Sequence, residues 1–214
     1  MVPHPRSVSL TAANPCTGCR FEAESVWAPV TGSATAALSR VFQRRLLDEA
    51  EVLFGQGMPA SGVFCVSKGM IALRSYRHDG RSALVRLARP GDIFGFRSFL
   101  ANEPHQTEAT ALVSSRVCIV ASRPARQIVA DAPKALDRIA RRCAVELAAV
   151  RDMQPGVAGA SNRRRLAEFI LQIDAAVAPE TACDNGAMRL RLPLAREDIA
   201  AALGIAPETV SRLF

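Results

Sequence analysis

The sequence predicts an α+β chain in which an antiparallel β-roll (jelly roll), a long helix and a helix-turn-helix follow one another. Three observations support this order. Between Glu51 and Val120, short β-rich runs are separated by glycines about a dozen residues apart, as in a compact antiparallel barrel or sandwich. From Ala132 onward, apolar residues recur at helical spacing. Near the end of the chain, two short helical patterns flank Gly204, as in a helix-turn-helix.

These patterns divide the chain into four parts. They are an irregular N-terminal segment (1–35), the β-roll (36–130), the long helix (131–154) and the helix-turn-helix domain (155–214). Apolar spacing predicts a short helix over Leu38–Leu47. His78-Asp-Gly-Arg81 predicts a hairpin tip. The predicted strands are Val52–Phe54, Val63–Val66, Met70–Leu73, Leu84–Leu87, Ile93–Phe94 and Val117–Val120.

The long helix carries a narrow apolar stripe in steps of four and three residues, the spacing of a coiled-coil seam. Its members are Leu136, Ala140, Cys143, Leu147 and Val150. We expect this dimerisation stripe to pair with its own copy in a symmetric dimer. The alternative is that the stripe packs on the β-roll. Pro155-Gly156 is expected to end or bend the helix.

The C-terminal part begins with an amphipathic helix over Asn162–Ile173, a loop at Ala178–Gly186 and a short strand at Met188–Leu192. The helix-turn-helix follows over Arg196–Phe214, and Gly204 supplies its turn. Such a motif holds its second helix against the major groove of DNA. An ordinary pair of surface helices is the alternative interpretation.

The second helix of the motif carries side chains that suit base edges. Arg212 can bond bidentately to guanine O6 and N7, Glu208 can accept from cytosine N4, and Ser211 can touch a base or its methyl group. Arginines in Asn162-Arg-Arg-Arg165 suit phosphate oxygens, although they are equally consistent with the solvated start of a helix. The full set of expected DNA contacts is Glu208, Thr209, Ser211, Arg212, Arg196, Arg163 and Arg164.

Composition agrees with a polyanionic partner, because the 214-residue chain has a net charge of +7. No apolar run approaches the ~18 residues of a membrane span, and the N-terminus lacks the apolar region of a signal peptide. We therefore expect a cytoplasmic protein whose six cysteines are thiols or ligands rather than structural disulfides. An enzyme is not expected, since Cys16-x-x-Cys19 has no βαβ pattern around it and no nucleophile–base set is visible.

A β-roll, a long helix and a helix-turn-helix in this order resemble the CRP/FNR family of transcription regulators over nearly the whole chain. The residues that carry the resemblance are Gly55, Gly57, Gly69, Asp79-Gly-Arg81, Pro90-Gly-Asp-Ile-Phe-Gly95 and the terminal motif. Glu208-Thr-Val-Ser-Arg212 resembles the recognition helix of the FNR/FixK branch. The resemblance implies a cyclic-nucleotide-binding-like β-roll and a homodimeric activator that works with RNA polymerase. It also implies double-stranded DNA with TTGAT-like palindromic half-sites as the partner.

Two departures from the family are visible. Members that bind cyclic AMP carry a Glu after the Gly-Asp-x-x-Gly turn and an Arg-Ser pair further on, where this chain has Phe96 and Thr107-Glu108. A phosphate would meet a carboxylate in place of a guanidinium, so we expect no dependence on cyclic AMP. Related chains also continue the recognition helix and add a β-hairpin wing, so truncation within that helix is expected at Phe214. The alternative function is an effector-binding β-roll that has lost DNA binding through truncation.

The N-terminal cysteines resemble part of a cluster site. The FNR branch binds a [4Fe–4S] cluster through three N-terminal cysteines and one on the roll, and Cys16, Cys19 and Cys118 match three of these positions. Ser25 stands at the fourth. Because four thiolates are the usual ligand set, another group would have to complete the site: His4, Glu22, Glu24 or a nonmatching cysteine. The alternatives are a thiol-based sensor, half a zinc site, or no sensing cofactor.

The remaining cysteines and histidines receive simpler interpretations. Cys65 is predicted to pack within a strand, and Cys143 to pack in the apolar stripe of the long helix. Cys183 is predicted to be an oxidisable thiol in a polar loop. His78 lies at the predicted hairpin tip and His105 in a polar loop. Both are expected at the surface, which argues against haem.

Overall fold

The structure is a computed structural model that describes residues 13–80, 82–152, 161–174, 180–182, 188–189 and 192–214. Three predicted features lie outside these residues: the Pro155-Gly156 break, Cys183 and His4. No described helix has the length and apolar character that a bilayer span requires.

The start of the β-roll differs from the sequence prediction. Helix α1 (Ser33–Val41) ends earlier than expected, and strand β1 (Gln43–Leu47) follows it directly. The predicted helix over Leu38–Leu47 is therefore wrong in its second half. Phe42 already has extended backbone angles, and every residue of β1 pairs with a residue of a later strand, which supplies the backbone hydrogen bonds that a helix would have made.

The described residues of the roll form two four-stranded antiparallel sheets. Seven strands follow β1: β2 (Val52–Phe54), β3 (Gly62–Lys68), β4 (Ile71–Tyr76), β5 (Ser82–Ala88), β6 (Ile93–Phe94), β7 (Glu108–Ala111) and β8 (Ser115–Ala121). The first sheet has the order β1-β8-β3-β6 and the second the order β2-β7-β4-β5. All six predicted strands are confirmed, whereas β1 and β7 were not predicted. The predicted hairpin tip joins β4 to β5.

Aromatic rings occupy the space between the two sheets. The ring centroids of Phe54 and Phe64 lie 5.1 Å apart, as do those of Phe64 and Phe94. The imidazole of His105 stacks on Phe54 at 3.7 Å and is 2% exposed. The prediction that His105 lies at the surface is therefore wrong. Its Nε2 accepts from the backbone N–H of Ser61 (3.1 Å) and lies 2.9 Å from the Ser61 hydroxyl, which together hold the ring inside.

Burial gives His105 a pH-dependent role in stability. Desolvation lowers its pKa below the usual 6.5, because the charged ring is disfavoured inside the roll. The unfolded chain therefore binds this proton more readily, so the stabilising contribution is complete above pH 6.5 and is lost as the pH falls below that value. We expect the melting temperature to decrease when the pH is lowered from about 7.5 to about 5. His105→Phe should make this decrease smaller.

The exposed His78 is the control for this prediction. His78→Gln should leave the pH dependence of the melting temperature as it is in the unaltered chain. Equal pH dependence in the unaltered chain and in His105→Phe would refute the role of His105.

A second core, the outer core, lies between the first sheet and a layer of helices. These are α1, α2 (Phe96–Ala101), α3 (Ser122–Asp131) and α4 (Pro133–Asp152). The N-terminal turns also contribute. Outer-core members include Cys16, Val26, Trp27, Leu38, Val63, Ile93, Phe96, Phe99, Val120, Ile128 and Ile139. The long helix predicted from Ala132 is confirmed as α4, whereas α2 and α3 were not predicted.

The C-terminal part contains α5 (Asn162–Asp174), β9 (Glu180–Ala182), β10 (Met188–Arg189), α6 (Arg196–Leu203) and α7 (Pro207–Leu213). The predicted loop at Ala178–Gly186 is partly wrong, because β9 pairs antiparallel with β10 and so satisfies its backbone groups. The three helices share a small core formed by Leu166, Ile199, Ala200, Leu203 and Val210.

Candidate functional site

The turn between α6 and α7 has the geometry expected of a helix-turn-helix. Gly204 ends α6 with φ 62° and ψ 36°, a left-handed conformation that glycine adopts without strain. The N–H of Ile205 donates to the carbonyl of Ala200 at 3.0 Å, and Pro207 opens α7. Ala200 is buried between the two helices, as its small side chain predicted. The sequence therefore places both helices and their turn correctly.

Helix α7 presents the predicted base-reading side chains to solvent. Val210 is fully buried and anchors the helix, whereas Glu208, Ser211 and Arg212 are exposed. Thr209 is half-buried, at the edge of this face. The carboxylate lies in the first turn and the guanidinium in the last, which is the favourable arrangement for the helix dipole. Glu208, Ser211 and Arg212, called the reading face below, form a surface with donors and acceptors for base edges.

The predicted phosphate contacts are exposed but differ in their partners. The guanidinium of Arg196, at the start of α6, lies 5.9 Å from the ring centre of Phe214. Arg164 Nε donates to Glu168 at 2.8 Å, and this bond raises the pKa of Arg164. Arg163 is exposed at the start of α5. Arg165, which was expected with its neighbours to suit phosphate oxygens, instead bonds to the carbonyl of Leu203 and ties α5 to the end of α6.

An ion pair that the sequence did not predict docks the helix-turn-helix on the β-roll. Arg74 of β4 forms a two-pronged salt bridge with Asp198 of α6, with Nη2 donating to Oδ2 at 2.7 Å. Their side chains are 19% and 13% exposed. Asp198 raises the pKa of Arg74. Asp198 also accepts from the N–H of Ala195 at the start of α6, so one carboxylate both caps the helix and docks it.

We expect Arg74→Ala to lower the free energy of unfolding by about 1–3 kcal/mol, because it leaves the mostly buried Asp198 carboxylate without its guanidinium. Urea unfolding of Arg74→Ala, Asp198→Asn and the double variant would measure the coupling, expected at about 1 kcal/mol or more. Strictly additive losses would contradict the ion pair. Arg45→Ala is the control, since its exposed pair with Glu51 should contribute much less to stability than the Arg74–Asp198 pair.

A second arginine joins the same sheet to the long helix. Arg86 of β5 forms a salt bridge with Glu146 of α4, and its Nη1 donates to the carbonyl of Ile93 at 3.0 Å. Burial lowers the pKa of Arg86. The neighbouring strands β4 and β5 therefore contact both the long helix and the helix-turn-helix. A movement of this sheet would be transmitted through α6 to the reading face on α7.

The dimerisation stripe is largely exposed in the single chain. Leu136 and Leu147 are 39% and 58% exposed, and Ala140 is exposed. Cys143 differs, because it lies where the stripe borders the face that carries Ile139, and it packs against the outer core. The backbone of Val150 is helical, but its side chain lies outside the described part. The alternative that the stripe packs on the β-roll is not supported at Leu136, Ala140 or Leu147.

The N-terminal cysteine pair lies in a turn against the outer face of the first sheet. The N–H of Cys19 donates to the carbonyl of Cys16 at 3.0 Å. Cys16 is buried, with its Sγ 3.0 Å from Ser25 Oγ, while Cys19 is exposed. Arg44 Nη2 donates to the carbonyl of Pro15, and Arg44 pairs with Cys118 across β1 and β8. These contacts bring Cys16, Cys19 and Cys118 to the same side of the roll.

The donor set suits an iron–sulfur cluster in chemical type but is incomplete at the matched positions. Burial raises the pKa of the Cys16 and Cys118 thiols, so both hold protons that metal binding would release. The hydroxyl of Ser25 accepts from the N–H of Trp27 besides contacting Cys16. Within the described ranges, no three His, Cys, Asp or Glu side chains already stand in coordinating positions. Binding therefore requires side-chain movement.

The two positions that distinguish cyclic AMP binders are engaged within the protein. Phe96 is 1% exposed and belongs to the outer core. Glu108 Oε1 accepts from the hydroxyls of Tyr76 (3.0 Å) and Thr110 (3.1 Å). A carboxylate held at this place opposes the approach of a phosphate.

Comparisons with known proteins match both halves of the chain. A cyclic nucleotide-binding domain model matches residues 44–132, and a Crp-like helix-turn-helix domain model matches residues 164–214. The nitrogen fixation regulation protein FixK of Bradyrhizobium diazoefficiens is 27% identical over 93% of this chain and 81% of its own length. The transcriptional activator protein FnrA of Stutzerimonas stutzeri is 28% identical over 83% and 72%. The structure of FixK2 from Bradyrhizobium japonicum covers 81% of this chain and 82% of its own, with 27% identity and a TM-score of 0.61.

Proposed function

The chain belongs to the CRP/FNR family of DNA-binding transcription regulators, in its FNR/FixK-like branch, and we propose that it reads TTGAT-like half-sites through α7. The observation that supports this reading is the exposed reading face on a helix anchored by the buried Val210. Proteins of this family are regulators and not enzymes, and they bind DNA as dimers. A dimer has two reading helices and therefore matches a palindrome whose half-sites lie about one helical turn apart.

The same proposal includes the partners and location expected of such a regulator. We propose that the homodimer activates transcription by contacting RNA polymerase at promoters that carry the palindrome. We also propose a cytoplasmic location, because that compartment holds the DNA to be read.

Titration of the purified chain against a fluorescently labelled TTGAT palindrome tests DNA reading directly. DNA-binding proteins bind their specific sites at least about 10³-fold more tightly than non-specific DNA. We therefore expect the chain to bind the TTGAT palindrome far more tightly than a duplex with scrambled half-sites at the same salt concentration. Equal affinity for the two duplexes would refute the proposed reading and favour an effector-binding β-roll without DNA recognition.

We propose further that the regulator responds to oxygen through a [4Fe–4S] cluster held in part by Cys16, Cys19 and Cys118. When bound, the cluster supplies an oxygen-labile centre. The chain itself connects the N-terminal segment that contains Cys16 and Cys19 to the long helix α4. Arg138 of α4 donates to the carbonyls of Ser25 (2.8 Å) and Ala23 (3.0 Å) in that segment. Movement of the N-terminal segment therefore acts on α4 directly. DNA affinity should be higher in protein reconstituted with iron and sulfide without air than after air exposure; equal affinities would refute the oxygen response.

A further inference from the structure

The register of the first sheet sets a fourth cysteine beside Cys118. Cys65 of β3 pairs directly with Cys118 of β8. The N–H and C=O of Val66 bond to Asp92 and Gly91, on the β6 side. Since successive residues of a strand turn their polar groups to opposite sides, those of Cys65 face β8, which makes Cys65 and Cys118 a hydrogen-bonded pair. Their Cα atoms are then about 5.5 Å apart and their side chains leave the same face of the sheet.

The shared face is the outer one, which the N-terminal turn covers. Val63 and Val120, which alternate with this pair along the same strands, belong to the outer core, whereas Phe64 and Val66 belong to the core between the sheets. Cys65 itself packs against the outer core, of which Cys16 is a member. The thiol of Cys65 therefore points towards the N-terminal cysteine pair.

The electrostatics of Cys65 agree with this geometry. Burial raises the pKa of its thiol to about 12, and Cys118, Cys16 and Cys19 add to the rise because they are close. Among the residues that the structure describes, the other candidates for a fourth ligand are less suitable. The Glu22 carboxylate accepts from the N–H of Gly18 at 2.8 Å, and Glu24 is exposed. Ser25 is held by its contacts to Cys16 and Trp27, and its hydroxyl is a harder donor than a thiolate.

We propose that Cys65 completes the cluster site, as the fourth thiolate ligand with Cys16, Cys19 and Cys118, in place of the family position that Ser25 occupies. The assignment rests on the proposed cluster but is a separate claim about ligand identity. On binding, each thiol gives its proton to solvent as its sulfur bonds to iron. A four-sulfur set then forms between the N-terminal turn and the β3–β8 strand pair.

Anaerobic reconstitution with ferrous iron and sulfide, followed by gel filtration and by iron and sulfide analysis, tests the assignment. The unaltered chain should retain about four irons and the visible absorption of a [4Fe–4S] cluster, and Cys65→Ser should lose most of both. Cys143→Ser is the matched control, since Cys143 packs against the same outer core without a ligand role, and it should retain the cluster. Ser25→Cys added to Cys65→Ser should restore iron content, which separates loss of a ligand from loss of the fold.

The outcomes distinguish the two claims. If the unaltered chain retains no iron, the proposed cluster fails. If Cys65→Ser retains the full iron and sulfide content with an unchanged spectrum, the cluster stands and the assignment of Cys65 is overturned. Failure of Ser25→Cys to rescue Cys65→Ser would also overturn it.

Discussion

Arg212→Ala is expected to abolish the preference for guanine at one base pair of each half-site. The guanidinium is exposed in the last turn of α7, where it can bond guanine O6 and N7 together, and a bidentate contact of this kind contributes about 1–3 kcal/mol of discrimination. Because a dimer makes the contact twice, the loss should be about twice as large for the whole palindrome. Affinity titrations against duplexes carrying each base at that position would measure it.

Arg163→Ala is the control for Arg212→Ala. Arg163 is exposed at the start of α5, and its predicted partner is a phosphate. The variant should weaken binding to all duplexes alike and reduce the salt slope by about one for each of the two symmetric contacts. If Arg212→Ala keeps the base preference of the unaltered chain, the assignment of the reading face is wrong.

Leu147→Asp is expected to convert the dimer to monomers and to remove tight palindrome binding with it. In a symmetric pair of α4 helices, the new carboxylate lies in the interface and close to its own copy. An unpaired buried charge costs about 3–5 kcal/mol, so the dimer dissociation constant should rise by roughly a hundredfold or more. Sedimentation velocity over a range of protein concentrations would measure the shift.

The same helix offers a matched control for Leu147→Asp. Val145 is 61% exposed, similar to the 58% of Leu147, but lies on the opposite side of α4 from the dimerisation stripe. Val145→Asp should remain dimeric and should bind the palindrome as the unaltered chain does. A dimeric Leu147→Asp variant would show that the stripe is not the interface.

The sequence predicts those parts of the fold in which local patterns and final packing agree. Glycine-separated β-rich runs identify six strands, and Gly204 with Val210 identifies the helix-turn-helix. β1 was missed because four of its five residues are exposed, so it lacks the alternation of a half-buried strand. His105 was misplaced because a polar loop gives no local sign that Ser61, 44 residues earlier, will hold the ring inside.

The candidate site divides in the same way. The reading face follows from the spacing of Glu208, Ser211 and Arg212 on one short helix. The Arg74–Asp198 ion pair joins residues 124 positions apart, and the pairing of Cys65 with Cys118 depends on strand register. Neither relation has a periodicity in the sequence. Both emerge only when the two sheets and the docked helices are in place.

The rings inside the roll also have a consequence for the amount of protein in a cell. A receptor whose interior binds an effector becomes more stable as that effector accumulates, by mass action. Here Phe54, Phe64, Phe94 and His105 occupy the space between the sheets themselves. Folding of the roll therefore does not wait for a small molecule in its interior. The resistance of the roll interior to proteases should therefore not depend on such an effector, and a stabilising effect of the signal would have to arise outside the interior, at the N-terminal cysteines.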